Sequence, residues 1–221
     1  MSLLDLLRRR AQTGPSVLTH KADTTQILYQ SQNPRDAALR EAVRQSVRLD
    51  EAGLSGTQQI GQRLEGAMLA GADLSEANFH GCLVRNSDLS GADLSGAYMQ
   101  STNLFQTNLE GAIVKGAHMR SINARHAILR NIDFSGVSMA MSNLRDADLT
   151  GSTFDRTDFR MADLRGTRFS VDADFSTARR TPNTFANVVF VDASGQEVAA
   201  YVTAKGEVRR GRNPDAKPPR P

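Results

Sequence analysis

Between Gln62 and Val171 an apolar residue returns at every fifth position without a slip. The series of centres is Leu64, Leu69, Leu74, Phe79, Val84, Leu89, Leu94, Met99, Leu104, Leu109, Val114, Met119, Ala124, Leu129, Phe134, Met139, Leu144, Leu149, Phe154, Phe159, Leu164 and Phe169. Two positions ahead of a centre stands a small or modest residue, as at Ala67, Ala72, Ala77, Cys82, Ala92, Thr102, Ala147 and Ala162. The position between is often Asp or Asn, as at Asp73, Asn78, Asp93 and Asn103. A period of five fits neither a free helix, which repeats at 3.6, nor a strand, which alternates at two. It suits a solenoid in which each repeat is one short side of a coil and each coil stacks on the last.

Residues stacked in successive coils are expected to be chemically alike, and at a spacing of twenty they are. Met99, Met119 and Met139 align, flanked by Phe79 and Phe159; Leu69, Leu89, Leu109, Leu129 and Leu149 align, as do Asn103, Asn123 and Asn143 outside the core. Twenty residues in sides of five make a four-sided coil. The A(D/N)LxG units, such as Ala92-Asp93-Leu94-Ser95-Gly96 and Ala72-Asp73-Leu74-Ser75-Glu76, resemble the pentapeptide-repeat family over about half the chain. The resemblance implies an all-β solenoid, a right-handed quadrilateral β-helix. In it the centre and the residue two before it point inward and the other three outward. At about 4.8 Å per layer, about five and a half coils span about 26 Å. The core is narrow, hence the small partners. Ala124 at a centre is balanced by Ile122, and Ile132 and Val137 are similarly large, so volume exchange is expected.

The rest of the chain divides around this rod into an N-terminal arm (1–33), a capping helix and linker (34–61), the β-helix (62–175), a C-terminal β-meander (176–210) and a basic Pro-rich tail (211–221). Leu3, Leu6 and Leu7, followed by Arg8 to Arg10, suggest a short amphipathic docking helix in the arm, too short to bind a membrane surface well. Asn33-Pro34 reads as an N-cap with proline at the first helical position. Leu39, Val43 and Val47 then repeat at four, and Gly53 reads as the stop. The apolar face of that helix is expected to cover the open N-terminal end of the rod. After Phe169, Asp172 is one residue too many for the register, which suggests a bulge or the last turn of the rod. Val188 to Val191, Val198 to Thr203 and Glu207 to Arg210, separated by turns, read as strands. They are expected to serve either as a C-terminal cap or as a homodimer contact through 188–210, and the family resemblance slightly favours the latter.

A single cysteine, Cys82, sits at an inward position, so no intrachain disulfide forms and its thiol reads as a buried apolar group. No run reaches the roughly 18 apolar residues of a membrane span, and the charge after Met1 follows the apolar segment, the wrong order for a secretory signal. The expected compartment is the cytoplasm or an intracellularly assembled particle. A filled rod offers little concavity, His20, His80, His118 and His126 have no ligand spacing, and no nucleophile neighbourhood appears. No catalytic, cofactor or metal site is expected.

Charge is more informative. The net +3 divides into +2 over 1–61, −3 over 62–175 and +4 over 176–221. One column, next after its centres, holds Arg85, Phe105, Arg125, Arg145 and Arg165, with Arg120 and Arg160 nearby. Arginines about 5 Å apart repel unless anions intervene, and Asp146 and Asp163 are candidates for that role. This face is net +2 and the opposite one −3. The column is either an interaction face or a ladder neutralised by local carboxylates. These features suit a non-catalytic interaction or structural subunit, a rod joined through its arms to a larger bacterial or phage assembly. The resemblance also offers a DNA-mimicking topoisomerase (gyrase)-binding protein of the quinolone-resistance type, but such a mimic wants carboxylates where this chain has arginines. Direct nucleic-acid binding is opposed by the net-acidic rod and its few exposed aromatic residues.

Overall fold

The period of five is the period of a turn. The computed structural model describes residues 34–211 apart from 45, 47, 182 and 183. The N-terminal arm and the tail beyond Gly211, and every expectation placed on them, lie outside the described residues. In each repeat the chain turns just after the centre: Ala72 donates its N–H to Leu69 O at 3.1 Å, and Gly71 lies between them at φ +65°. A positive φ at the third residue of a hydrogen-bonded four-residue turn marks type II. The same positive φ recurs at every fifth residue from Ser46 to Gly166, which is why glycine so often closes the repeat. The Asp or Asn before the centre steadies the turn from outside, as Asp73 Oδ1 accepts the N–H of Ser75 at 3.1 Å.

Between turns only one residue of each side bridges to the next coil, so the coil stack is a ladder of isolated parallel bridges. Arg48, Met68, Asp88, Asn108, Ile128, Asp148 and Arg168 form one such column at a spacing of twenty. Leu64 donates forward to Leu83 O at 2.8 Å, and Leu83 donates back to Gln62 O at 2.9 Å. Centres and their small partners fill the interior: Leu64, Leu74, Met99, Met119 and Met139 are fully buried beside Ala72, Ala77 and Ala92. Hydroxyls at the partner position are satisfied by the coil before. Thr102 Oγ1 donates to Phe79 O at 2.7 Å, Thr157 Oγ1 to Phe134 O at 2.9 Å and Ser152 Oγ to Leu129 O at 2.8 Å. Among the described residues the ladder opens where no bridge joins Ile113 to Asp133, and again at the last coil, where Thr153 and Asp163 have no bridge onward. Ile132, branched where other repeats carry Ala, sits on the side that opens at Asp133, while Val137 sits on the next side, which keeps its His118 to Ser138 bridge.

The rod starts earlier than the apolar period does. Helix α1 (Pro34–Arg44) ends well short of Gly53: Ser46 donates to Val43 O at 3.0 Å and turns the chain at φ 52°. Residues read as linker form a further coil, with Leu49, Leu54 and Gln59 buried at its centres. Arg48, Gly53 and Gln58 bridge to Met68, Asp73 and Asn78. Gln59 hides the pattern because a polar residue takes an apolar position. Its Nε2 donates to Asp36 O in α1 at 3.2 Å, and buried Asp36 Oδ1 accepts the N–H of Gln58 at 2.7 Å.

At the other end the spacing grows by one, to Asp158 with Arg179 and Arg168 with Val189, consistent with the extra residue at Asp172. The rod therefore continues past 175. Its last rung is β1 (Arg168–Ser170) paired in parallel with β2 (Val189–Val191). Strand β3 (Glu197–Val198) adds antiparallel to β2, while β4 (Ala200–Val202) and β5 (Val208–Arg210) form a separate two-stranded sheet. The expected meander is thus divided, its first strand being part of the coil stack. Aromatic rings fill the end of the core, with Phe175 5.1 Å from both Phe154 and Phe169 and 4.3 Å from Phe185.

Candidate interaction face

The asparagines beneath the arginine column decide how it is displayed. Asn103 and Asn123 accept, through Oδ1, the N–H of Phe105 at 3.1 Å and of Arg125 at 3.5 Å. Asn143 does the same for Arg145 at 3.3 Å. Asn123 Nδ2 also donates to Asn103 Oδ1 at 3.3 Å, tying successive coils together on the surface. Each outward residue is therefore launched from a fixed turn at the same height on the coil.

The column divides into paired ends and an unpaired middle. Arg85 forks onto Glu65 Oε1, at 3.1 Å from Nε and 2.5 Å from Nη2. That bond, helped by Arg63, holds the Glu65 carboxyl below its ordinary range. At the other end Arg165 engages Asp163 with Nε to Oδ1 at 2.8 Å and Nη2 to Oδ2 at 2.5 Å, and lowers the Asp163 pKa in the same way. Between them Arg125 and Arg145 have no ion pair among the described residues, although the charge of Arg145 reaches Asp163 and helps to lower its pKa, and the Nε of each is buried with no acceptor there. Asp146 does not reach them; its Oδ2 lies 4.0 Å from His126 Nε2. Phe105 is half-buried rather than exposed, its ring edge-on to His126 at 5.6 Å.

Arg120 and Arg160 lie on the adjacent side of the coil, outside this column. Arg120 Nη2 lies 3.1 Å from Met141 Sδ, and Arg160 forks onto Asp158 with Nη2 to Oδ2 at 2.7 Å. That side also shows exposed Met141 and Met161 in successive coils and Tyr98 stacked on His118 at 4.8 Å. Spacing singled out Arg120 and Arg160 but not the apolar members of this strip, which sit at different positions within the repeat. Among the described residues no group of His, Cys, Asp or Glu is arranged to hold a metal ion, and no helix is long and apolar enough to cross a membrane.

Comparison with known proteins agrees with the repeat. No curated protein matches the chain. Among solved structures it is similar to HetL, a pentapeptide repeat protein involved in heterocyst differentiation regulation from the cyanobacterium Nostoc sp. strain PCC 7120. The identity is 22% over 68% of this chain and 81% of that one, with a TM-score of 0.35. It is also similar to Rfr23, from the cyanobacterium Cyanothece 51142, at 19% identity over 69% and 97% of the two chains and a TM-score of 0.37. The likeness to QnrB1, a plasmid-mediated fluoroquinolone resistance protein, is 21% identity over 58% and 74%, with a TM-score of 0.39. A family model described as pentapeptide repeats matches in eight copies over residues 61–86, 72–111, 102–139 and 142–170. Proteins of that family adopt a right-handed quadrilateral β-helix, the form whose coil takes four five-residue sides. Through its bridged coils and the eight matched repeats, the chain belongs to the pentapeptide-repeat family.

Proposed function

We propose that the chain is a non-catalytic protein–protein interaction or structural subunit, a rigid rod that receives acidic groups of a protein partner on Arg125 and Arg145. In this reading its terminal arms, 1–33 and 211–221, join it to a larger bacterial or phage assembly. Members of the family are in general non-catalytic structural proteins. The observation that carries the reading is the unpaired middle of the column. A buried donor without an acceptor costs about 1–3 kcal/mol. Arginines on successive coils, about 5 Å apart at the backbone, also repel one another. A partner's carboxylates would relieve both costs, whereas Arg85 and Arg165 already have theirs.

The same reading makes α1 a cap on the N-terminal end, supported by the Asp36 bonds to Gln58 and Gln59 and by Leu39 buried against the first coil. It makes the β4–β5 hairpin a cap on the other end, supported by the Phe175 N–H donating to Gly206 O at 3.1 Å. A homodimer through 188–210 would be built around that hairpin. A topoisomerase-binding DNA mimic is the alternative, and the arginine column opposes it.

The test is affinity capture from native extract with full-length baits, quantified by mass spectrometry. The Arg125→Glu/Arg145→Glu bait is expected to lose partners that Arg85→Glu retains, and equal capture by both would refute the reading. Capture of gyrase by the parent chain would favour the mimic.

A further inference from the structure

The last coil and the β4–β5 hairpin, joined where Asp174 bridges Glu207, leave a cleft of about 730 Å³ between residues 178–181 and β4. One wall is residues 178–181, the other β4 and its extension to Ala204. Arg180 spans the base, donating to Phe175 O at 3.0 Å, Ala178 O at 3.2 Å and Ala204 O at 2.6 Å.

One wall of this cleft is an open strand edge. Thr203 donates to Glu207 O and Gly211 to Ala199 O, each at 2.8 Å, so the odd-numbered residues of β4 face β5. Alternation along an antiparallel pair turns the N–H and C=O of Ala200 and Val202 the other way. There β4 has no strand partner among the described residues, because β3 stays with β2 and the chain at Thr184 to Ala186 lies across the cleft. An unpaired edge of this kind is what strand addition uses.

The lining is also of one charge. Arg160, Arg179 and Arg180 contribute to it, and none of its described residues is a carboxylate. Arg160 is met by Asp158 beneath it, but Arg180 spends its donors on carbonyls. Arg179 is exposed and has no ion pair among the described residues. Tyr201 and Thr181 add hydroxyls. The chain's own ends do not complement such a cleft, since 1–33 and 211–221 are both net basic.

We infer that the cleft is a docking groove for an extended acidic segment of a partner protein, added as a strand on the outer edge of β4 with a carboxylate on Arg179. The inference rests on the reading of the chain as an interaction module but uses a surface separate from Arg125 and Arg145, so either site can fail alone.

A random peptide library is selected against the full-length chain, and the enriched peptides are measured by fluorescence anisotropy. The expected result is enrichment of acidic residues at alternate positions. Binding should weaken about tenfold or more in Arg179→Glu, which removes a favourable charge contact and adds a repulsive one. A similar loss is expected in Val202→Pro, which removes an outward N–H and spares the bonds to β5. Arg125→Glu/Arg145→Glu should bind these peptides like the parent. Failure to enrich any acidic peptide, or peptides that bind Arg179→Glu as tightly as the parent, would overturn the inference. If Val202→Pro melts early, the exposed Arg179→Glu decides alone.

Discussion

Thr107 donates through Oγ1 to the carbonyl oxygen of Val84, one coil back, at 2.7 Å. Thr57 takes the same inward position in the first coil, where no earlier coil among the described residues supplies a carbonyl, and its buried Oγ1 has no partner among them. The two residues differ only in what lies beneath them. Thr107→Val is expected to destabilise the rod by about 1 kcal/mol, the worth of a satisfied bond plus the orphaned carbonyl. Thr57→Val is expected to be neutral or stabilising, and paired urea melts would show the opposite signs.

The left-handed corner residue sets a second pair of outcomes. Gly91 sits at φ +64° with nothing near where a Cβ would be, so Gly91→Ala isolates backbone strain from steric contact. A loss of about 1 kcal/mol is expected. Met161 takes the same position in its repeat at φ +60° and is 69% exposed, and Met161→Gly should recover a similar amount. Thermal denaturation reads both, and a destabilised Met161→Gly would show that the thioether contributes packing.

Acid should weaken the rod through its paired carboxylates. Arg160 bonded to Asp158 and Arg165 bonded to Asp163 hold both carboxyls below their ordinary range. Because the folded values are the lower ones, this stability is complete above the unfolded pKa, about 4, and disappears as pH falls through the depressed folded values. The melting temperature should be level from neutral pH to about 5 and decline below about 4, with a shallower decline in Asp158→Asn. A curve that rises on acidification would contradict this assignment.

Cys82 should be chemically silent while the rod is folded. Burial pushes its thiol up to about 11, and Sγ lies 2.9 Å from Gln59 O, so little thiolate forms near neutral pH. A maleimide should label it only at the rate of unfolding, and rapid labelling of native protein would mean that the coil at Gln59 opens locally.

The period of the rod is legible in the sequence because its centres are apolar and its corners small, but the ends are not. Gln59 satisfies its amide through α1, a contact made by chain folding back, and so breaks the apolar series where the rod is still running. Arg180 falls one coil on from Phe159 once the extra residue near Asp172 is counted, so a charged residue takes the place of an apolar centre. Its guanidinium covers carbonyls that a further coil would have used. The arginine column could be read from spacing, whereas its division into paired ends and an unpaired middle could not. That division depends on Glu65 and Asp163 lying within reach and Asp146 turning toward His126.

The most direct measurement is hydrogen exchange on the complex with the captured partner, compared with the free chain. Slowed exchange centred on the amides of 123–126 and 143–146 is the expected result, since these carry the turns that present Arg125 and Arg145. A footprint that leaves those turns unchanged would contradict the assignment of the arginine pair as the docking site.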